Sequence, residues 1–109
     1  MKSSEYRISQ EQHGRAGWLD YAEGSRLRFP WEILGTGGIA IRVPSPEDWD
    51  EFCEAQQADW AKERRREILE RVGERFVKMR YGRGDFNVES LWVVVKPGSS
   101  FLSRIFHGR

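Results

Sequence analysis

Cysteine is nearly missing from this chain. Cys53 is the only one, so no internal disulfide can form, and a reducing compartment, the cytoplasm, is expected. Histidine is almost as scarce: His13 and His107 lie near opposite ends, and neither stands at a metal-ligand spacing. No apolar run approaches the roughly 20 residues that cross a bilayer, so no membrane partner is expected. The stretch from Met1 to Ser9 holds no apolar core of a secretory signal. An excess of either charge is absent as well. Eighteen Lys and Arg face 17 Asp and Glu, a net of +1. A chain devoted to holding nucleic acid usually carries a clear basic excess, so that partner is disfavoured.

Catalytic patterns are missing too. No Ser, His and acid arrangement suggests a triad, and no carboxylate pair stands apart from the general charge pattern. Gly35-Thr36-Gly37-Gly38 lacks the Lys-Ser/Thr and the following helix of a phosphate cradle, and reads as a turn. Arg83-Gly84-Asp85 matches an integrin-binding tripeptide by composition only. Cys53 sits on an apolar helix edge, where packing outranks nucleophilic chemistry. No catalytic residue, cofactor or metal is therefore assigned.

Aromatic residues, in contrast, are plentiful: five Trp, six Phe and three Tyr, enough core material without a disulfide or a metal. One domain over 1–109 is expected, of the α+β class, with a mostly antiparallel sheet packed on one long helix in β-β-β-α-β order. Residues 1–16 are expected to be either mobile or a short edge strand near Tyr6 and Ile8, with a loop from Gln10 to Arg15. Trp18–Tyr21 and Arg26–Ile33 read as a hairpin around the three-residue loop Ala22-Glu23-Gly24, which sets Leu19 and Tyr21 on the face of Leu27 and Phe29. Ile39, Ile41 and Val43 mark a third strand. Pro30 has no N–H to donate, so the strand around it should be at an edge or bulged.

Ser45-Pro46 starts a short helix, about 46–55, and a long helix is expected from about 59 to 80. That helix, about 33 Å long, matches a single following strand from Phe86 to Lys96, about 36 Å long. Leu91–Val95 is apolar on both faces, as a covered central strand would be. Phe101, Leu102, Ile105 and Phe106 give 99–109 the spacing of a short amphipathic tail over the second sheet face.

Plotted at 100° per residue from Trp60, Ile68, Ala61, Met79, Val72, Phe76 and Leu69 span about 80° to 180°, the buried stripe. Glu63, Glu67, Glu70 and Glu74 form the opposite, solvated ridge. Trp60, Arg64, Arg71, Arg75 and Lys78 flank the apolar stripe. They serve either as snorkelling cover or as a cationic surface for nucleic acid or an acidic ligand. The acidic segment from Pro44 to Ala58 is an internal candidate to neutralise them. Arg65 points into the apolar stripe. It should either reach past the sheet edge to water or find an anionic partner.

The leading functional expectation is a small soluble protein-interaction or regulatory module that binds another protein or itself, as a homodimer. It rests on the two-faced strand and on Trp18 and Trp92, which point away from the helix-facing residues beside them. Binding through the Trp60/Arg64/Arg71/Arg75/Lys78 stripe is the alternative, and an enzyme ranks below a binding module.

Overall fold

The computed structural model describes residues 5–35 and 37–98. Among the described residues, six strands form one antiparallel sheet: β1 (Arg7–His13), β2 (Ala16–Glu23), β3 (Ser25–Ile33), β4 (Ile39–Arg42), β5 (Gly84–Val88) and β6 (Trp92–Pro97). Their order across the sheet is β1-β2-β3-β4-β6-β5, every pair antiparallel. Between β4 and β5 run α1 (Trp49–Ala55), a 3-10 turn (Asp59–Ala61) and α2 (Arg65–Tyr81). No helix among the described residues is long and apolar enough to cross a membrane.

Side-chain alternation fixes which face is buried. Leu19 pairs with Phe29 and Tyr21 with Leu27, and all four are sealed beneath the helices. The hairpin parity expected from the sequence holds, but the loop is not Ala22-Glu23-Gly24: Ala22 pairs with Arg26 and Glu23 with Ser25, and the turn centres on Gly24 (φ +107°). Ile39 and Ile41 pair with Val95 and Val93 on the same face. α1 stacks Trp49 and Phe52 on Phe29, and the Trp49 indole N–H donates to the Ala61 carbonyl at 2.9 Å. α2 packs on β5 and β6, while Phe76 meets Trp31 edge-on.

Pro30 occupies an interior strand, yet it pairs only toward β2. The β3–β4 ladder covers Trp31 to Ile33, so the missing N–H falls where β3 has lost its second neighbour.

Several expectations need correction. β1 is a full seven-residue strand through His13, so Gln10–His13 is extended and not a loop; only Gly14 and Arg15 turn the chain. The segment Phe86–Lys96 is not one strand but the hairpin β5–β6. Val88 pairs with Val93, and the Glu89 N–H closes on the Trp92 carbonyl around Ser90-Leu91. The element order is thus four strands, the helices, then two strands.

α2 starts at Arg65 rather than near 59, because Glu63 takes φ +64°, backbone that no helix continues through; Gln57, at φ +58°, breaks the chain after α1. Trp60 therefore stands on the 3-10 turn. Ile68, Leu69, Val72 and Phe76 are buried as expected, but Gly73 and Val77 complete the stripe and Met79 is 40% exposed. The expected short helix begins at Trp49, after a turn in which Ser45 Oγ accepts the Asp48 N–H at 3.3 Å. The tail expected over 99–109 lies outside the described residues.

Candidate functional site

The residues singled out by the sequence fall on two surfaces. The first is the tip of the β2–β3 hairpin, where α2 and the 3-10 turn press on it. Gly24 turns the chain so that Glu23 and Ser25 flank it. Ser25 donates to the Gln57 carbonyl at 3.0 Å and accepts the Trp60 indole N–H at 2.8 Å. Glu23 accepts Arg64 Nη2 at 2.8 Å, Arg71 Nη1 at 3.2 Å and the Tyr21 hydroxyl at 2.5 Å. Arg71 also donates to the Tyr21 oxygen at 2.8 Å, and Glu67 takes up both guanidiniums from the helix side.

Burial pushes the Tyr21 hydroxyl up to about 12, with the Glu23 hydrogen bond adding to it. Burial also works to raise Glu23. Hydrogen bonds from Arg64 and Tyr21 and the charges of Arg64 and Arg71 outweigh it, so the carboxyl stays below its ordinary value.

Trp60, Arg64 and Arg71 thus converge, but toward the hairpin. Arg64 and Arg71 find their carboxylates in Glu23 and Glu67, not in the acidic Pro44–Ala58 segment, whose carboxylates reach a basic side chain among the described residues only where Glu54 pairs with Lys62. Arg75 and Lys78 make no ion pair among the described residues. With Tyr6 and Arg83 they line a shallow groove of about 540 Å³ along α2.

The second surface is the sheet face turned away from the helices. β2 places Trp18 there, 40% exposed, directly across from Pro30 on β3. β6 places Trp92 there, directly across from Arg42 on β4. Three strand spacings, roughly 14 Å, separate the two indoles. Between them lies a shallow trough of about 430 Å³ lined by Pro30, Ala40, Arg42 and Glu32.

An arginine lies over each indole: Arg28 5.2 Å from the Trp18 centroid and Arg42 5.7 Å from that of Trp92. Their electrostatic settings differ. Arg28 is held by Asp20 at 3.0 Å and Glu11 at 3.4 Å, whereas Arg42 has no ion pair among the described residues. Strand parity brought Trp18 and Trp92 to this face in the sequence reading. Pro30, Ala40 and Arg42 were not singled out as its floor, although the same parity rule assigns them once the strand order is known.

Two further residues are accounted for structurally. Arg65 makes no ion pair among the described residues. It donates to the carbonyls of Pro44 at 3.0 Å, Ser90 at 2.9 Å and Glu89 at 3.4 Å, and burial lowers its pKa. Cys53 is fully buried, and desolvation pushes its thiol up to about 11, with Asp50 adding to it, which removes thiolate chemistry near neutrality. Among the described residues, no cluster of His, Cys, Asp and Glu suits a metal ion. Compared with known proteins, the chain matches no family model, no curated relative and no solved structure.

Proposed function

We propose that this chain is a protein-interaction module whose binding surface is the open face of the sheet, the face that no described helix covers. The observation that carries this reading is the pair Trp18 and Trp92, walling an apolar trough on the face opposite the core. Large rigid aromatics with arginine beside them are the side chains that dominate protein–protein hot spots. Trp18, Pro30, Ala40 and Trp92 make the centre of the face mostly apolar, interrupted by Glu32 and Arg42, and more charge flanks it, with Arg26, Arg28 and Asp20 to one side and Lys96 to the other, as at an interface core inside a polar rim. The matching partner surface offers an apolar side chain for the trough and a carboxylate for Arg42.

The cationic reading keeps one supporting observation, the groove beside Arg75, Lys78 and Arg83. It ranks second because Arg64 and Arg71 are already neutralised by Glu23 and Glu67.

The test is a displayed random-peptide selection against the folded chain, counter-selected with the Trp18→Ala/Trp92→Ala double variant. Enriched peptides should combine an aromatic or aliphatic residue with an acidic one, and should lose binding to Arg42→Glu. Amide shift perturbations should fall on β2, β3, β4 and β6. Perturbations confined to α2 and Tyr6 would overturn the reading in favour of the basic groove.

A further inference from the structure

The sheet ends in two rims, β1 and β5. β1 is a rim strand: it pairs with β2 through seven consecutive residues, Arg7↔Ala22 to His13↔Ala16, without a bulge. No described strand pairs along its outer side. Such a row of unmatched backbone groups is a template for another strand, and proteins normally blunt it with proline, a bulge or a very short strand. β1 has none of these three; its charged residues, Arg7 and Glu11, guard the rim against an unrelated strand but are of opposite sign and so suit a second copy of the same strand. The opposite rim, β5, is only five residues long.

The sequence of β1, Arg-Ile-Ser-Gln-Glu-Gln-His, is complementary to itself when turned antiparallel about Gln10. Ser9 then faces Glu11 of the second copy and can donate its hydroxyl to that carboxylate. Arg7 stands directly across from His13 and diagonal to the same Glu11, within reach of a long side chain. Arg7 makes no ion pair among the described residues, whereas Glu11 lies 3.4 Å from Arg28 and 3.5 Å from His13 and stays half-exposed. Ile8 faces Gln12 on the helix side. At the centre, Gln10 faces its own symmetry mate. The side-chain oxygen of Gln10 is the one buried side-chain polar atom without a hydrogen-bond partner among the described residues. Across the axis each Gln10 amide meets a group that carries both a donor and an acceptor.

We infer that two copies of this chain associate through antiparallel pairing of β1 with β1, with Gln10 on the two-fold axis, to form one continuous sheet. The pairing is isologous and closes at the dimer, since it consumes the rim on both copies. It leaves Trp18 and Trp92 free, so it does not rest on the open-face reading. The two claims fail separately.

Sedimentation velocity over a concentration series, joined to cysteine cross-linking, tests it. Gln10→Cys should form an intermolecular disulfide under mild oxidation, and Asn87→Cys, on the β5 rim, should not. Glu11→Arg sets Arg against Arg7 of the mate and should weaken association by about tenfold or more, as close like-charge contacts do. The exchange Arg7→Glu/Glu11→Arg restores the opposite-sign diagonal and should recover the dimer, which a simple folding defect would not do. Trp18→Ala should leave the dimer intact. A monomer at every soluble concentration, a cross-link through Asn87 alone, or a dimer abolished by Trp18→Ala but untouched by Glu11→Arg would each overturn the inference.

Discussion

The ring of Phe86 lies where the Cβ of residue 73 would be: a methyl placed on Gly73 would come within 2.3 Å of it. Glycine in the middle of α2 is otherwise unfavourable by about 1 kcal/mol relative to alanine. Overpacking a filled contact costs about 1–3 kcal/mol, and the clash here includes the rigid base of the ring. Gly73→Ala is therefore expected to lower stability by about 1–2 kcal/mol in urea unfolding, against the helix-propensity trend. Adding Phe86→Leu to Gly73→Ala should recover part of that loss, because it empties the colliding volume.

Glu23 joins a hairpin tip to a helix more than forty residues further on. Its side chain is 14% exposed and serves two arginines and Tyr21. Glu23→Gln should cost about 2 kcal/mol at neutral pH, since charge-assisted hydrogen bonds are lost and Arg64 and Arg71 keep only Glu67. The carboxyl is held below its ordinary value of 4.5, so its stabilisation is complete above that pH and is lost as pH falls through the lower folded value. The wild-type urea midpoint should drop on acidification below about pH 4.5, and the Glu23→Gln midpoint should drop less.

At alkaline pH the sign reverses. Tyr21 titrates near 10 in an unfolded chain and near about 12 when folded, and Cys53 moves from 9 to about 11, both chiefly by burial. In those intervals the unfolded state has already lost its proton, so stability falls as pH rises, first through Cys53 and then through Tyr21. Cys53→Ala should flatten the first part of the decline between pH 9 and 11, read as the change in urea midpoint.

Gln57 and Glu63 hold left-handed backbone that glycine adopts without penalty. Gln57→Gly and Glu63→Gly should each raise stability by up to about 1 kcal/mol in thermal or urea unfolding. Leu91, exposed in the β5–β6 turn, provides the control: Leu91→Gly is expected to bring no such gain, because neither Ser90 nor Leu91 has positive φ.

The open face predicts an asymmetry between stability and recognition. Trp18→Ala removes a side chain that is 40% exposed and should change the urea midpoint little. Trp31→Ala, on the other face, removes a buried indole packed over Gly17 and should cost about 3–5 kcal/mol.

What the sequence could and could not reveal follows from the reach of each signal. Leu27, Phe29, Trp31 and Ile33 alternate without a break, so β3 and its buried face were readable. So was the Ile68-Val72-Phe76 stripe, since i, i+4 spacing survives whatever the helix packs against. β1 was not, because Gln10 and Gln12 occupy its inward positions and Ile8 alone shows which side is covered. The β5–β6 turn was hidden for another reason: Ser90-Leu91 turns without positive φ and so needs no glycine or asparagine. Trp18 and Trp92 could be placed on the outer face from parity alone. That Arg64 and Arg71 meet Glu23 depends on where a hairpin tip lands relative to a distant helix, and no local pattern encodes that.

Arg65 gathers carbonyls from the connection entering α1 and from the β5–β6 turn, at the first residue of α2. Segments more than forty residues apart in the chain are thereby knotted at one guanidinium. Loosening either loop strips the head of α2 of its anchor, so backbone amides near 65–69 and 92–95 should exchange with solvent as one cooperative block rather than fraying independently.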